Sequence, residues 1–408
     1  VPLGMGVAVL LIVLGAWLRL PAIIVLGIVV AGAALVHSIW ARHGLGGVTY
    51  ARRLSRTRVA WGEEIPMAIE VWNGKRLPLA WLSAEDMTSD GVYLRDRPLV
   101  ESDEQRQVLR NTWTLAPFER VVRHVWVSGD RRGLFTIGPT ELAAGDLFAR
   151  QAARSEVDRV DRFLVWPRVV PAPDLARADR WGELERAHAG LLEDPTRFAG
   201  VRTYSPGDPL RRLHHRTSAR LREPVTKRFE PARERQVLIA LDVRPAEGPY
   251  WLPADADRLE ELCVIGASLT RALADDEATF GLTVAGYTYS RERFADVALG
   301  RGPGHAARVL DVLARLSQHA SAPFEVLLAR IPRRFSAGTT VLAVTLRDPL
   351  AFATAFSGLR RSGFSVALLA CGPGAAGRAR SARAAGFTAR AAELDGDWRT
   401  ATRLAATR

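Results

Sequence analysis

Two cysteines, Cys263 and Cys371, are all that 408 residues contain. That excludes a disulfide framework and a thiolate metal site, and it fits a reducing compartment for the main body. Lysine is as scarce. Lys75 and Lys227 stand alone; the other 54 of the 56 basic residues are arginine. With so much alanine and glycine, this bias points to a high-GC bacterial genome, so part of the basic excess reflects codon usage. There is no Gly-Lys-Ser/Thr phosphate loop, so ATP hydrolysis by the chain itself is not expected. There is no Gly-x-Ser-x-Gly nucleophile elbow either.

Charge is also absent from the start of the chain. Residues 1–18 carry none, Arg19 interrupts, and residues 20–41 carry none again. Spanning a bilayer takes about 20 apolar residues in a helix, because in lipid the backbone must satisfy its own hydrogen bonds. Arg19-Leu-Pro21 makes a tight break, so residues 1–41 read as a transmembrane helical hairpin. Arg42, Arg52, Arg53, Arg56 and Arg58 follow. By the positive-inside rule the N-terminus and the long C-terminal part lie in the cytoplasm, giving a two-pass protein of the bacterial cytoplasmic membrane.

Residues 48–168 alternate apolar and polar positions over short runs. Val59 to Asn73 is one such run, and Val108–Leu115 and Arg120–Val127 are others. Asn73-Gly74 is a hairpin-type turn signal. This spacing, without a long amphipathic helix, predicts a small β-sandwich. Trp61, Trp72, Trp81, Trp113 and Trp126 read as core or edge aromatics.

From residue 235 the pattern changes. Gln236–Leu241 is a continuous apolar run ending at Asp242, as expected of a strand buried on both faces. Helical periodicity over 257–273 follows, then strands at 278–286, 339–346 and 364–370 with helices at 305–316 and 350–361 between them. Alternation of this kind predicts a doubly wound α/β domain over 235–408.

Between these halves, residues 169–234 form a connector. Residues 202–235 hold 10 Lys/Arg against 4 Asp/Glu, so +6 of the net +12 lies in 34 residues. Ser205-Pro-Gly-Asp-Pro209 is a turn cluster. Leu213, Val225 and Phe229 punctuate the charges, as in a segment that packs. Gly207-Asp208, Arg211-Arg-Leu-His214, Ser218-Ala-Arg220, Val225 and Phe229-Glu230 together resemble the signature of the bacterial domain of unknown function 58 family. Arg131-Arg-Gly133, Asp146-Leu-Phe148 and Val165-Trp-Pro167 resemble it as well. His215 stands where the family usually has Trp. The resemblance implies a von Willebrand factor A-like α/β domain and a partner, a MoxR-type AAA+ ATPase, beside which such proteins work as adaptors or assembly factors. The motif residues Gly207, Asp208, Arg211, Arg212, His214, Ser218, Arg220, Phe229 and Glu230 are then interaction or structural residues, docking the partner or bracing the domains.

A working domain of that type holds a divalent cation with Asp-x-Ser-x-Ser after its first strand, where carboxylate and hydroxyl oxygens suit a hard ion. Here the segment is Asp242-Val-Arg244-Pro-Ala246. Arg and Ala replace both hydroxyl residues, so no metal is expected, and Asp242 is expected to pair with Arg244 or with an arginine of the connector. Gly372-Pro-Gly374-Ala-Ala-Gly377, with Glu393 at ribose-contact distance along the chain, matches a dinucleotide fingerprint. Pro373 stiffens the turn and too little chain follows, so an ordinary helix start is the reading and no cofactor is expected. Asp208, His214, His215 and Ser218 lack the mutual context of a hydrolase set. The arginine-rich patch offers phosphate binding, to anionic lipid or nucleic acid, as a second class of function. Interleaved aromatics are thin, Tyr204 and Phe229 alone, which argues against a nucleic-acid binder. The leading expectation is a membrane-anchored, non-catalytic interaction protein; an enzyme would demand turnover or metal dependence.

Overall fold

The structure is a computed structural model. It describes residues 3–95, 98–101, 107–146, 151–176, 193–205, 212–231, 236–244, 249–253, 255–288 and 292–407. The chain divides into two compact units, Val1–Trp166 and Pro167–Arg408.

The first unit opens with two apolar helices, Leu3–Trp17 and Pro21–His43. Arg19, at φ +51°, turns the chain between them. They pack through small residues: a side chain on Gly15 would strike Ile24, and one on Gly27 would strike Ile12 and the Ala8 carbonyl. Glycine lets two helix backbones approach closely without a hydrophobic driving force between them. Pro21–His43 is long and apolar enough to cross a membrane. Its 23 residues rise about 35 Å. The 15 residues of Leu3–Trp17 rise about 22 Å, less than the ~30 Å of a hydrocarbon core.

The strands that follow are β1 (Val48–Leu54), β2 (Arg58–Val59), β3 (Ile65–Asn73), β4 (Leu79–Thr88), β5 (Val92–Leu94), β6 (Val100–Glu101), β7 (Gln107–Leu115), β8 (Arg120–Gly129), β9 (Gly133–Gly145), β10 (Gln151–Val157) and β11 (Asp161–Val165). One sheet has the order β1-β3-β8-β5. The other has β2-β11-β9-β4-β7-β6, with β10 added on β9. Alternate residues of β3 are buried, Ile65, Met67, Ile69 and Val71, and they meet Leu82, Ala84, Leu109 and Leu142 of the other sheet in one core. The Asn73-Gly74 turn is not a hairpin: β3 and β4 belong to different sheets. Asn73 Nδ2 donates to the carbonyls of Leu77 and Ala116 at 3.0 and 2.9 Å, fixing a wider crossing between the sheets. Of the tryptophans, Trp113 is buried, while Trp72 and Trp126 face outward.

A charged cluster ties the two sheets together inside the sandwich. Arg52 of β1 is 1% exposed. It donates to Asp86 Oδ1 at 2.6 Å, to Thr140 Oγ1 at 2.9 Å and to Asp161 Oδ2 at 3.0 Å. Tyr50 donates its hydroxyl to the other oxygen of Asp86. Burial and the Asp86 carboxylate push the Tyr50 phenol far above its ordinary range.

In the second unit β12 (Glu193–Thr203) and β13 (Val225–Pro231) form an antiparallel ribbon. The main sheet comprises β14 (Gln236–Leu241), β15 (Thr279–Val284), β16 (Ala295–Gly300), β17 (Thr340–Thr345), β18 (Ser365–Cys371), β19 (Thr388–Leu394) and β20 (Leu404–Thr407). Its order is β16-β15-β14-β17-β18-β19-β20. The five inner strands are parallel and the two edges antiparallel. Parallel neighbours need long crossovers. Helices Ala256–Asp275, Pro303–Arg315, Phe324–Arg330, Ala353–Arg361 and Ala375–Ala384 lie along them. All of β15 and β18 is buried, which is why they read as continuous apolar runs. The order reverses at β14: the chain leaves it toward β15 on one side, and β17 returns on the other. In α/β sheets of this kind such a reversal, at the carboxyl ends of the strands, is where ligands bind; here it brings together the ends of β14 and β17.

Candidate functional site

Asp242 is the first residue after β14, and Arg347 lies two residues after β17. The parallel pairing of these strands brings them together across the reversal point. Arg347 donates Nε to Asp242 Oδ2 at 2.8 Å and its terminal nitrogen to Oδ1 at 3.0 Å. Thr345, the last residue of β17, donates its hydroxyl to Oδ2 at 2.8 Å, and the Arg244 backbone N–H reaches Oδ1 at 3.3 Å. Asp242 is 1% exposed. Burial pushes its carboxyl up, and the fork of Arg347 and the Thr345 hydroxyl pull against that. The Arg347 guanidinium also lies over the Phe352 ring, 4.6 Å from its centroid.

This corrects the expected pairing. Asp242 is bound neither by the Arg244 side chain nor by the described arginines of the connector, but by Arg347. Asp348, the next residue, caps the turn at Pro349–Phe352, its carboxylate accepting from the Leu350 N–H at 3.0 Å. Arginine is the residue that satisfies a carboxylate at both oxygens, because its planar fork matches the carboxylate plane. A guanidinium therefore holds the position beside Asp242 that a cation would need. Ala246 lies outside the described residues.

The signature segment folds on itself. Leu213 bridges to Thr226 of β13, and the His214 N–H donates to the Val225 carbonyl at 2.8 Å. His214 caps the short helix His215–Leu221, its Nδ1 accepting from the Thr217 N–H at 3.2 Å. Ser218 Oγ accepts from the Val225 N–H at 3.0 Å. Arg222, at φ +57°, ends the helix and returns the chain to β13. These bonds occupy His214 and Ser218 with local backbone, not with one another. His215, Arg216, Arg220 and Arg222 are exposed, and Arg212 is half-buried. Phe229 and Glu230 lie on β13, where Phe229 pairs in register with Phe198. Gly207, Asp208 and Arg211 lie outside the described residues.

The glycine fingerprint begins a helix. Gly372 and Gly374 take φ of +74° and +77° at the end of β18, and Gly374 caps Ala375–Ala384. Arg378 folds back to donate to the Pro373 and Cys371 carbonyls at 2.7 and 2.5 Å. Glu393 does share a cavity with Gly372 and Pro373, of about 490 Å³. Its other walls carry Asp255, Asp257, Glu261 and Asp397 against Arg258. Such a lining repels a pyrophosphate. Among the described residues no group of three or more His, Cys, Asp or Glu is placed to hold a metal ion.

Sequence reading missed a second cavity, of about 440 Å³, walled by Tyr250, Trp251, Tyr287, Arg293 and His319. It belongs to the same end of the sheet, since Val243 lies against Gly286. The signal was thin: isolated aromatics in loops with no common period.

Comparison with known proteins bears on the segment just described. Residues 200–327 match the family described as protein of unknown function DUF58. The DUF58 match thus runs from β12 through the signature helix, Asp242 and the first crossover helices. A curated relative, the uncharacterized protein YeaD of Bacillus subtilis, is 32% identical over 88 residues, 22% of this chain and 20% of that protein. The match therefore spans about one fifth of the relative's length. Among solved structures, the CARDB domain of a Pyrococcus furiosus protein covers 29% of this chain and 84% of its own at 13% identity, with a TM-score of 0.20. A cohesin module from Clostridium perfringens covers 29% and 97% at 9% identity, with a TM-score of 0.21. Scores this low carry no fold argument, and the DUF58 match names no activity.

Proposed function

We propose that this is a membrane-anchored, non-catalytic interaction protein that works with a MoxR-type AAA+ ATPase in assembly or chaperone-like work. The apolar helix pair is its two-pass anchor, a hairpin with both soluble units on the cytoplasmic side, as the arginines after residue 41 favour. The second unit is a degenerate von Willebrand factor A-like domain: strand order and the position of Asp242 support that reading. Arg347 in the cation's place argues for binding without metal. The partner itself comes from the family resemblance.

One observation carries the docking role. The signature helix spends its polar side chains His214 and Ser218 on its own backbone, yet turns Arg216 and Arg220 to solvent. A helix built that way keeps its fold without those arginines, which leaves them for a partner's acidic surface. The test is capture of the detergent-solubilised protein with ATP and Mg²⁺ and without them. Recovery of an AAA+ ATPase that depends on nucleotide, and is lost in Arg216→Ala/Arg220→Ala at an unchanged melting temperature, is the expected result. Undiminished recovery by the double variant sinks the docking role; unfolding of the variant favours a bracing one.

A further inference from the structure

One end of the sandwich collects the turns from β3 to β4 and from β7 to β8, the start of β1 and the end of β9 at Gly145. The apolar helix Pro21–His43 is seated in that same end. Gly74 N–H donates to the Gly47 carbonyl at 2.9 Å, and Lys75 Nζ donates to the Gly46 carbonyl at 2.9 Å and to that of Gly44. His37 Nδ1 meets the buried Asp146 carboxylate at 2.8 Å. Trp40 is buried. One of the chain's two lysines is thus spent on clamping the turn after β3 to the carbonyls of Gly44 and Gly46, just beyond the helix's end at His43.

The surface of this end is apolar and cationic where water should be. Trp72 is 44% exposed and Phe118 is 59% exposed. Phe118 sits at φ +57°, a left-handed position where a bulky residue is uncommon. Arg76 is exposed in the turn that Phe118 bonds, and Arg42 is exposed in the last turn of the apolar helix; neither has an ion pair among the described residues. Arg120 is paired with Glu70, and Glu119 accepts from the backbone of Ala116, so the nearby carboxylates are engaged. Aromatics with one apolar body and a neighbouring cation are what a membrane interface favours.

We infer that this end of the sandwich rests on the surface of an anionic phospholipid bilayer, Trp72 and Phe118 at headgroup depth and Arg42 and Arg76 against lipid phosphates. The inference rests on the membrane-anchored reading above and adds a second contact to it. The bilayer is the occupant because the patch is continuous with the end of the apolar helix, which fixes it at the membrane boundary. A sandwich held at both helix and surface cannot swing freely, so the anchor also orients it.

The buried thiols make the test direct, since Cys263 and Cys371 are 0% exposed. In the full chain, Val29→Cys, Pro117→Cys and Asp90→Cys each take one nitroxide label, and the protein is reconstituted into vesicles of phosphatidylcholine with phosphatidylglycerol. Val29 is an exposed position of the apolar helix, and Asp90 lies at the far end of the sandwich, between β4 and β5. Relaxation by oxygen should dominate at 29, relaxation by a water-soluble nickel complex at 90, and position 117 should lie between them. Phe118→Ser, Arg42→Glu/Arg76→Glu, or vesicles of phosphatidylcholine alone should each make position 117 wetter. A label at 117 as wet as that at 90, while 29 remains in lipid, overturns the inference and leaves the anchor standing. A label at 29 in water overturns the anchor and, with it, the inference.

Discussion

Arg347 holds Asp242 by both carboxylate oxygens, at 2.8 and 3.0 Å, across the point where the strand order reverses. A bidentate fork in a site this dry satisfies the anion without an external cation. Removing one partner leaves the other buried and unpaired, which is the costly error in such a pair. Arg347→Ala should therefore destabilise the protein by about 3–5 kcal/mol, and Asp242→Asn/Arg347→Leu by less than the single change. Chemical denaturation of the single and double variants measures the difference.

The same pair predicts indifference to divalent ions. Mg²⁺ or Mn²⁺ should leave the melting temperature unchanged, because a bound ligand raises it only by binding the folded state. A saturable upward shift in differential scanning calorimetry would show that a cation enters despite the guanidinium.

Arg52 is the corresponding residue of the sandwich. It donates to Asp86, Thr140 and Asp161, which come from different strands. Arg52→Ala should cost about 3–5 kcal/mol, because it leaves the buried Asp86 without a cation, held only by the Tyr50 and Thr140 hydroxyls. Arg52→Met/Asp86→Leu should recover part of that, as read from urea midpoints.

Acid should weaken the second unit before the carboxylates protonate. His305 is buried, its Nε2–H donating to the Phe280 carbonyl at 2.7 Å and its Nδ1 facing Arg308 at 3.1 Å. Burial holds its pKa below the ordinary 6.5, and the backbone bond to Phe280 opposes that only in part. The unfolded chain therefore takes up the proton first. Stability from His305 is complete above about pH 6.5 and declines as pH falls through it. Asp296 follows at lower pH: burial raises its carboxyl, but Arg330 and Thr283 outweigh this, so its contribution is present above the ordinary 3.8 and is lost below. Melting temperatures between pH 7 and pH 5 should drop more steeply for the native protein than for His305→Gln, by the shift in proton uptake.

How far the chain could be read depended on the range of the interactions. The apolar runs before residue 41, the alternating segments of β3, β7 and β8, and the continuous runs of β14, β17 and β18 each carry their period within a few residues, so they were legible. β1, β10 and β12 were not, because charges and small residues blur a period of two. Asn73-Gly74 signals a hairpin, yet the strands it joins belong to different sheets, since which strand pairs with which is a long-range choice. Asp242 was visible as the residue after the first buried strand. Its partner was not, because Arg347 lies 105 residues away and is brought near only by β14 pairing with β17.

The sequence by itself determined the two apolar helices, the change from strand alternation to an α/β pattern, the basic segment between them and the loss of hydroxyls after Asp242. These are properties of composition and short period, fixed wherever the chain goes. Only the tertiary structure decided that Arg347 answers Asp242, that Arg52 is buried between two sheets, that His214 and Ser218 serve their own backbone, and that Lys75 clamps the apolar helix. Each of those needs two distant segments held within hydrogen-bond reach, and local preference does not encode that distance.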